Sequence, residues 1–161
     1  MAEHTATVRW TRGTDDFLDK RYARAHTWHF DGGATVAASS SPHVVPLPYS
    51  DAAAVDPEEA YVAALSSCHM LWFLDLACRA GLRVNRYTDA AMGTMANDAL
   101  GRLIVSHVQL RPVTVFDAAH APSEAALAEL HHRAHEACFL ANSVKTQIDC
   151  APVLEIHSEG L

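Results

Sequence analysis

The sequence predicts an α+β fold. Three observations carry that expectation. Two segments, residues 57–79 and 123–141, hold apolar residues at helical spacing; the remaining runs alternate at strand spacing; and the order is strands, helix, strands, helix, strand. A chain of 161 residues is expected to form a single domain over residues 1–161.

Residues 5–12 alternate weakly and read as a strand. Two β-prone runs, His26–Phe30 and Ala34–Ala37, flank Asp31-Gly32-Gly33 and predict a hairpin over residues 26–38. From Ser39 to Val55 the chain holds Pro42, Pro46, Pro48 and a serine run, so an extended connection is expected, and loops of that length are often functional.

The first helix has a local start signal. Asp56 can cap it, Pro57 suits the first helical position, and Glu59 completes a capping box. It should run to about Arg79 and stop at Gly81. From Ala60 to Leu74 it is apolar nearly all round, which predicts a central buried helix. That run is shorter than the ~20 residues a bilayer requires.

Residues 84–96 and 102–117 read as two strands joined by a turn at Asn97–Gly101. Ile104, Val108 and Leu110 would share one face, with Ser106 interrupting it. A second helix is expected from Ser123 or Glu124 to about Ala141, with Leu127, Leu130, Ala134, Ala137 and Cys138 on its buried stripe. A last strand, Lys145–His157, ends the pattern.

Composition narrows the function. Half of the residues are apolar and 19% are charged, as in ordinary soluble domains. The formal net charge of −7 argues against nucleic-acid binding driven by bulk positive charge. No apolar leader opens the chain, and no membrane partner is expected, so a cytoplasmic location is the expectation. In that compartment four cysteines point to packing, metal binding or redox chemistry rather than to a disulfide scaffold.

Cys68 and Cys138 each fall within a predicted helix. They can meet only if those helices pack with the two positions facing, and bridging needs Cα atoms within about 7 Å. Cys68 and Cys78 lie roughly 15 Å apart along one helix and cannot pair; Cys150, in the last strand, is a weaker candidate. A cysteine in apolar surroundings is either inert packing or a nucleophile that needs a cation to stabilise its thiolate. His69 points about 100° away from Cys68 around the helix. Arg21 and Arg24, before the hairpin, are better placed by type. His131, His132 and His135 offer a different chemistry: His131 and His135, four apart, could hold Zn²⁺ or Ni²⁺ with Cys138.

The run Asp56-Pro57-Glu58-Glu59-Ala60-Tyr61-Val62-Ala63-Ala64-Leu65-Ser66-Ser67-Cys68-His69 resembles the first signature of the OsmC/Ohr family, the osmotically inducible and organic hydroperoxide resistance proteins. Ala134-His135-Glu136-Ala137-Cys138-Phe139-Leu140-Ala141-Asn142-Ser143 resembles the second. Asp56 stands where the family usually has asparagine, Phe139 where a proline is common, and His69 where an aromatic or apolar residue is usual, which marks a divergent branch.

The resemblance implies an OsmC-like fold of antiparallel sheets wrapped around two central helices, in an interlocked homodimer. It implies a thiol-dependent peroxidase of the oxidative stress response that reduces organic hydroperoxides without a cofactor or metal. By motif position Cys68 matches the peroxidatic cysteine, Cys138 the resolving cysteine, Glu58 the family glutamate and Arg24 the family arginine, with Arg21 as second choice. The expected partners are a second copy of the chain, a small-molecule hydroperoxide and a dithiol reductant of lipoyl or small-thiol type. Glu58 lies roughly 15 Å along the helix from Cys68. A long arginine, a broken helix or a partner subunit would have to join them. Two alternatives stand beside this expectation: a non-catalytic dimer that binds an apolar small molecule, and a histidine-rich metal-binding variant.

Overall fold

A computed structural model describes residues 1–157. The chain divides into two units, Met1–Ala60 and Tyr61–Leu161.

In the first unit, strands β1 (Ala6–Arg9), β2 (His26–Phe30) and β3 (Thr35–Ala38) form an antiparallel sheet in the order β1-β2-β3. β1 is shorter than the alternation at residues 5–12 suggested. The chain leaves it at Trp10, whose indole N–H donates to the Ala23 carbonyl at 2.8 Å. Phe17 meets that indole at a tilt, Tyr22 meets it edge-on, and the two stack on each other, closing the β1–β2 connection around an aromatic cluster. The proline-rich stretch after β3 is tethered rather than free. Val55 bridges Ala38 in parallel, and the buried Ser39 hydroxyl accepts from the Asp51 N–H at 3.0 Å.

Helix α1 (Pro57–Arg79) begins as its capping residues dictate. The Asp56 carboxylate accepts from the Glu59 N–H at 2.7 Å, and the Glu59 carboxylate accepts from the Asp56 N–H at 3.1 Å. Its end is equally local. Gly81 takes φ +74°, the Leu82 N–H reaches the Ala77 carbonyl, and the Gly81 N–H reaches that of Cys78, satisfying the last carbonyls. By length and composition α1 could cross a membrane. Its buried stripe, Leu65, His69, Phe73 and Ala77, instead packs on protein at four-residue spacing, and Leu71 stays exposed. In the single chain the helix is therefore buried along one stripe, not all round.

The second unit carries two mixed sheets, not wholly antiparallel ones. One has the order β4-β7-β9, from β4 (Val84–Asp89), β7 (Pro112–Asp117) and β9 (Val153–His157). The other has the order β5-β6-β8, from β5 (Met92–Asn97), β6 (Leu103–Leu110) and β8 (Gln147–Cys150). Pairs β6–β8 and β7–β9 are parallel. Each of the two long runs read as one strand is thus two, because the chain changes sheets after Asp89 and at Arg111. Asp89 pins both corners: its carboxylate accepts from the Arg111 N–H at 2.7 Å and from the Ser66 hydroxyl of α1 at 2.5 Å.

A bulge between Thr94 and Met95 leaves Ser106 of β6 as the extra residue. It reverses the side-chain phase, so Val105 joins Val108 against α1 and Ile104 turns outward. Helix α2 (Glu124–Ala137) starts at Ser123, whose hydroxyl accepts from the Ala126 N–H. It ends earlier than its pattern suggested, with Cys138 as C-cap and a 3₁₀ turn over Ala141–Ser143. Phe73, Ala77, Phe116, Leu127, Leu130 and Ala134 make the larger core, and Leu65, Val108 and Leu110 the smaller one.

Candidate functional site

Cys68 faces outward from the buried stripe of α1 and is half-buried; Cys138 caps α2 and is buried. Both are free thiols. The early end of α2 is what aims the second one. At the C-cap the backbone turns to extended geometry, and the Cys138 thiol lies near enough to Cys68 for the two to act on each other. Burial, then the interaction with the Cys68 side chain, pushes the Cys138 thiol up to about 11. The Ala141 N–H, donating to Cys138 Sγ at 3.4 Å, acts in the opposite sense and does not win.

Cys68 opens into an apolar pocket of about 650 Å³ lined by Leu71, Trp72, Phe139 and Leu140, with Asp75 and Arg79 at its polar edge. Trp72 and Phe139 meet edge to face, ring centroids 5.4 Å apart. Phe139, which replaces a common proline of the resembling motif, thus supplies one wall. Asp75 and Arg79 pair with each other at 2.8 Å, four residues apart on α1. The walls suit an alkyl or aryl group, and the thiol is the reactive atom they expose.

Arg24 and Glu58 belong to the first unit. The Arg24 guanidinium is half-buried. Nη1 donates to the carbonyls of Lys20, at 2.9 Å, and Tyr22, and the group lies 3.7 Å from the Tyr22 ring centroid. Nε and Nη2 have no hydrogen-bond partner among the described residues. Arg21 is exposed and pairs with Asp19 at 3.9 Å, so Arg24 is the better anchored of the two candidates. Among the described residues no ion pair joins Arg24 to Glu58. α1 runs unbroken past both Glu58 and Cys68, which removes the broken-helix option.

The three neighbouring histidines do not share a site, contrary to the His131–His135–Cys138 grouping that their spacing suggested. His132 is exposed and pairs with Glu136 at 3.5 Å, and His135 is half-buried. His131 points into the core, where its Nδ1 lies 2.9 Å from His69 Nε2 and 3.7 Å from Cys150 Sγ. Burial pushes His69 down to about 4, helped by the charge of His135, and His131 down to about 3, helped by His69; both imidazoles are neutral. Sequence reasoning missed this cluster, since its members are 62 and 19 residues apart. The four-residue spacing of His69 within Leu65, Phe73 and Ala77 was the available signal that it faces inward.

The family model for OsmC-like proteins matches residues 50–152, well over half of the chain. The chain belongs to the OsmC/Ohr family. An OsmC-like protein of unknown function from Vibrio cholerae is 50% identical, with a TM-score of 0.93 over 95% of this chain and all of that one. An organic hydroperoxide resistance protein from Elizabethkingia anophelis shares 14% identity and a TM-score of 0.66 over 98% of each chain. The organic hydroperoxide resistance protein OhrB of Bacillus subtilis shares 16% and a TM-score of 0.58, over 97% of this chain and 98% of its own. The latter two share the OsmC fold with this chain. No curated protein matches the sequence.

Proposed function

We propose that this OsmC-family chain is a cysteine-based peroxidase that reduces organic hydroperoxides. The observation that carries the reading is a pair of free thiols close enough to act on each other, one of them lining an apolar pocket. The Cys68 thiolate attacks the terminal peroxide oxygen. An S–O bond forms, the O–O bond breaks, and the leaving alkoxide takes a proton to become the alcohol. The protonated Cys138 thiol then condenses with the Cys68 sulfenic acid, forming an S–S bond and releasing water. A dithiol of lipoyl or small-thiol type reopens the disulfide by exchange. The aromatic wall selects alkyl and aryl hydroperoxides over hydrogen peroxide. By motif position Arg24 stabilises the thiolate and Glu58 orients the guanidinium. The working unit is a homodimer in the cytoplasm.

One equivalent of cumene hydroperoxide followed by peptide mapping tests the route. A Cys68–Cys138 linked peptide is the expected product, and turnover should fall to background in Cys68→Ser. Wild-type turnover equal to that of Cys68→Ser would favour a non-catalytic pocket for an apolar small molecule.

A further inference from the structure

Behind the redox pair, three metal-ligating side chains from three different elements converge in the core of the second unit: His69 of α1, His131 of α2 and Cys150 of β8. Their ligand atoms all lie within 4.8 Å of one another. Both histidines are almost fully buried and Cys150 is half-buried. We propose that His69 Nε2, His131 Nδ1 and Cys150 Sγ form a three-ligand site for a borderline-soft transition-metal ion of the Zn²⁺ class.

The distances fit the chemistry. The three atoms form a triangle with sides of 2.9, 3.7 and 3.9 Å. A point equidistant from them is about 2.1 Å from each, near the usual Zn–N length and slightly short of Zn–S. Opening the short N···N side to about 3.3 Å, as the rings tilt from each other toward the ion, brings all three into the normal range. Two imidazoles and a thiolate are also the donor types that select zinc-class ions over Mg²⁺ or Ca²⁺.

Packing alone is a poor account of the cluster. One N···N hydrogen bond is all that two buried imidazoles gain from each other. The outer nitrogens, His69 Nδ1 and His131 Nε2, have no partner among the described residues. With the ion present, the shared proton moves to the outer nitrogen of its own ring, and Cys150 releases its proton. The divalent ion and the thiolate leave one positive charge. The Asp89 carboxylate, close enough to act on both His69 and Cys150, balances it. Tyr87 stands beside His131, ring centroids 6.4 Å apart, with its hydroxyl buried and unpartnered among the described residues. Such an ion fastens α1 next to Cys68 onto the helix that Cys138 caps.

Protein made without an affinity tag, reduced and stripped by a chelator, is titrated with Co²⁺. The expected result is one equivalent per chain, with a thiolate-to-cobalt charge-transfer band that Zn²⁺ abolishes. His69→Gln and His131→Gln should each weaken binding by at least about 100-fold. Cys150→Ser should lose the charge-transfer band. The double variant Cys68→Ser/Cys138→Ser and the double variant His132→Ala/His135→Ala should bind as the wild type does. If a histidine variant fails to fold by circular dichroism, the Cys150→Ser spectrum decides. The proposal is overturned if no band forms, if the band survives in Cys150→Ser, or if it disappears in Cys68→Ser/Cys138→Ser.

Discussion

Cys138 holds its proton because desolvation and the neighbouring Cys68 both oppose a second negative charge. A thiol that keeps its proton is a poor attacker of the peroxide, which leaves the first step to Cys68; Cys138 gives up its proton only as its sulfur attacks the sulfenic acid and water departs. Replacing Cys138 by serine should therefore leave the first reduction of hydroperoxide intact. Repeated turnover should then trap Cys68 as sulfinic acid, seen as a mass gain of two oxygens on the Cys68 peptide. An unmodified peptide after excess cumene hydroperoxide would contradict that division of roles. The same thiol gives a pH prediction. Its folded value, about 11, lies above the ordinary 9.0, so its stabilising contribution is complete below pH 9 and is lost as pH rises from 9 to 11. Urea denaturation of the reduced protein across that window should show falling stability. Cys138→Ser should flatten part of the fall and Cys150, pushed up to about 12 mainly by burial, should account for more of it.

Among the elements, α1 approaches its sheet closely at Gly93. A Cβ built on Gly93 of β5 would stand 2.6 Å from Val62 Cγ2. Val62 is β-branched and has little rotamer freedom on a helix, so it cannot swing aside. Gly93→Ala should destabilise the fold by about 1–3 kcal/mol, and Val62→Ala in the same chain should recover most of that loss. Thermal unfolding of the four proteins of this cycle measures the coupling; additive effects would show that the contact does not set the helix position. What the sequence revealed follows the same division between local and distant causes. Asp56 and Glu59 made the start of α1 legible, and Gly81 its end, because each acts within one turn. The bulge at Ser106, the change of sheet at Asp89 and Arg111, and the parallel pairing of β8 and β9 depend on partners far along the chain. The motif marked Cys138 as a candidate site residue. Its position at a C-cap was not legible, since Ala137 and Ala141 extend the helical pattern straight through the break.

For the whole molecule, two exposed apolar side chains border the candidate site. Leu71 is 61% exposed and Phe139 69%, and both line the pocket beside Cys68. Reduced protein should therefore sediment at twice the chain mass of 17.5 kDa at micromolar concentration, and a monomer there would remove the dimer from the proposal. The proposed dimer also bears on the helical distance between Glu58 and Cys68. If each site draws its glutamate from the other chain, a heterodimer of Cys68→Ser with Glu58→Ala contains one site with both groups intact. If each site is built within one chain, the same heterodimer contains none. In the purified mixed dimer one of the two sites works, so shared sites predict recovery of about half of wild-type turnover from two nearly inactive proteins. Co-expression with separable tags, purification of the mixed dimer and a cumene hydroperoxide assay distinguish the two cases. Activity no higher than that of the parents would place Glu58 and Cys68 in the service of the same chain, with Arg24 left to span the distance between them.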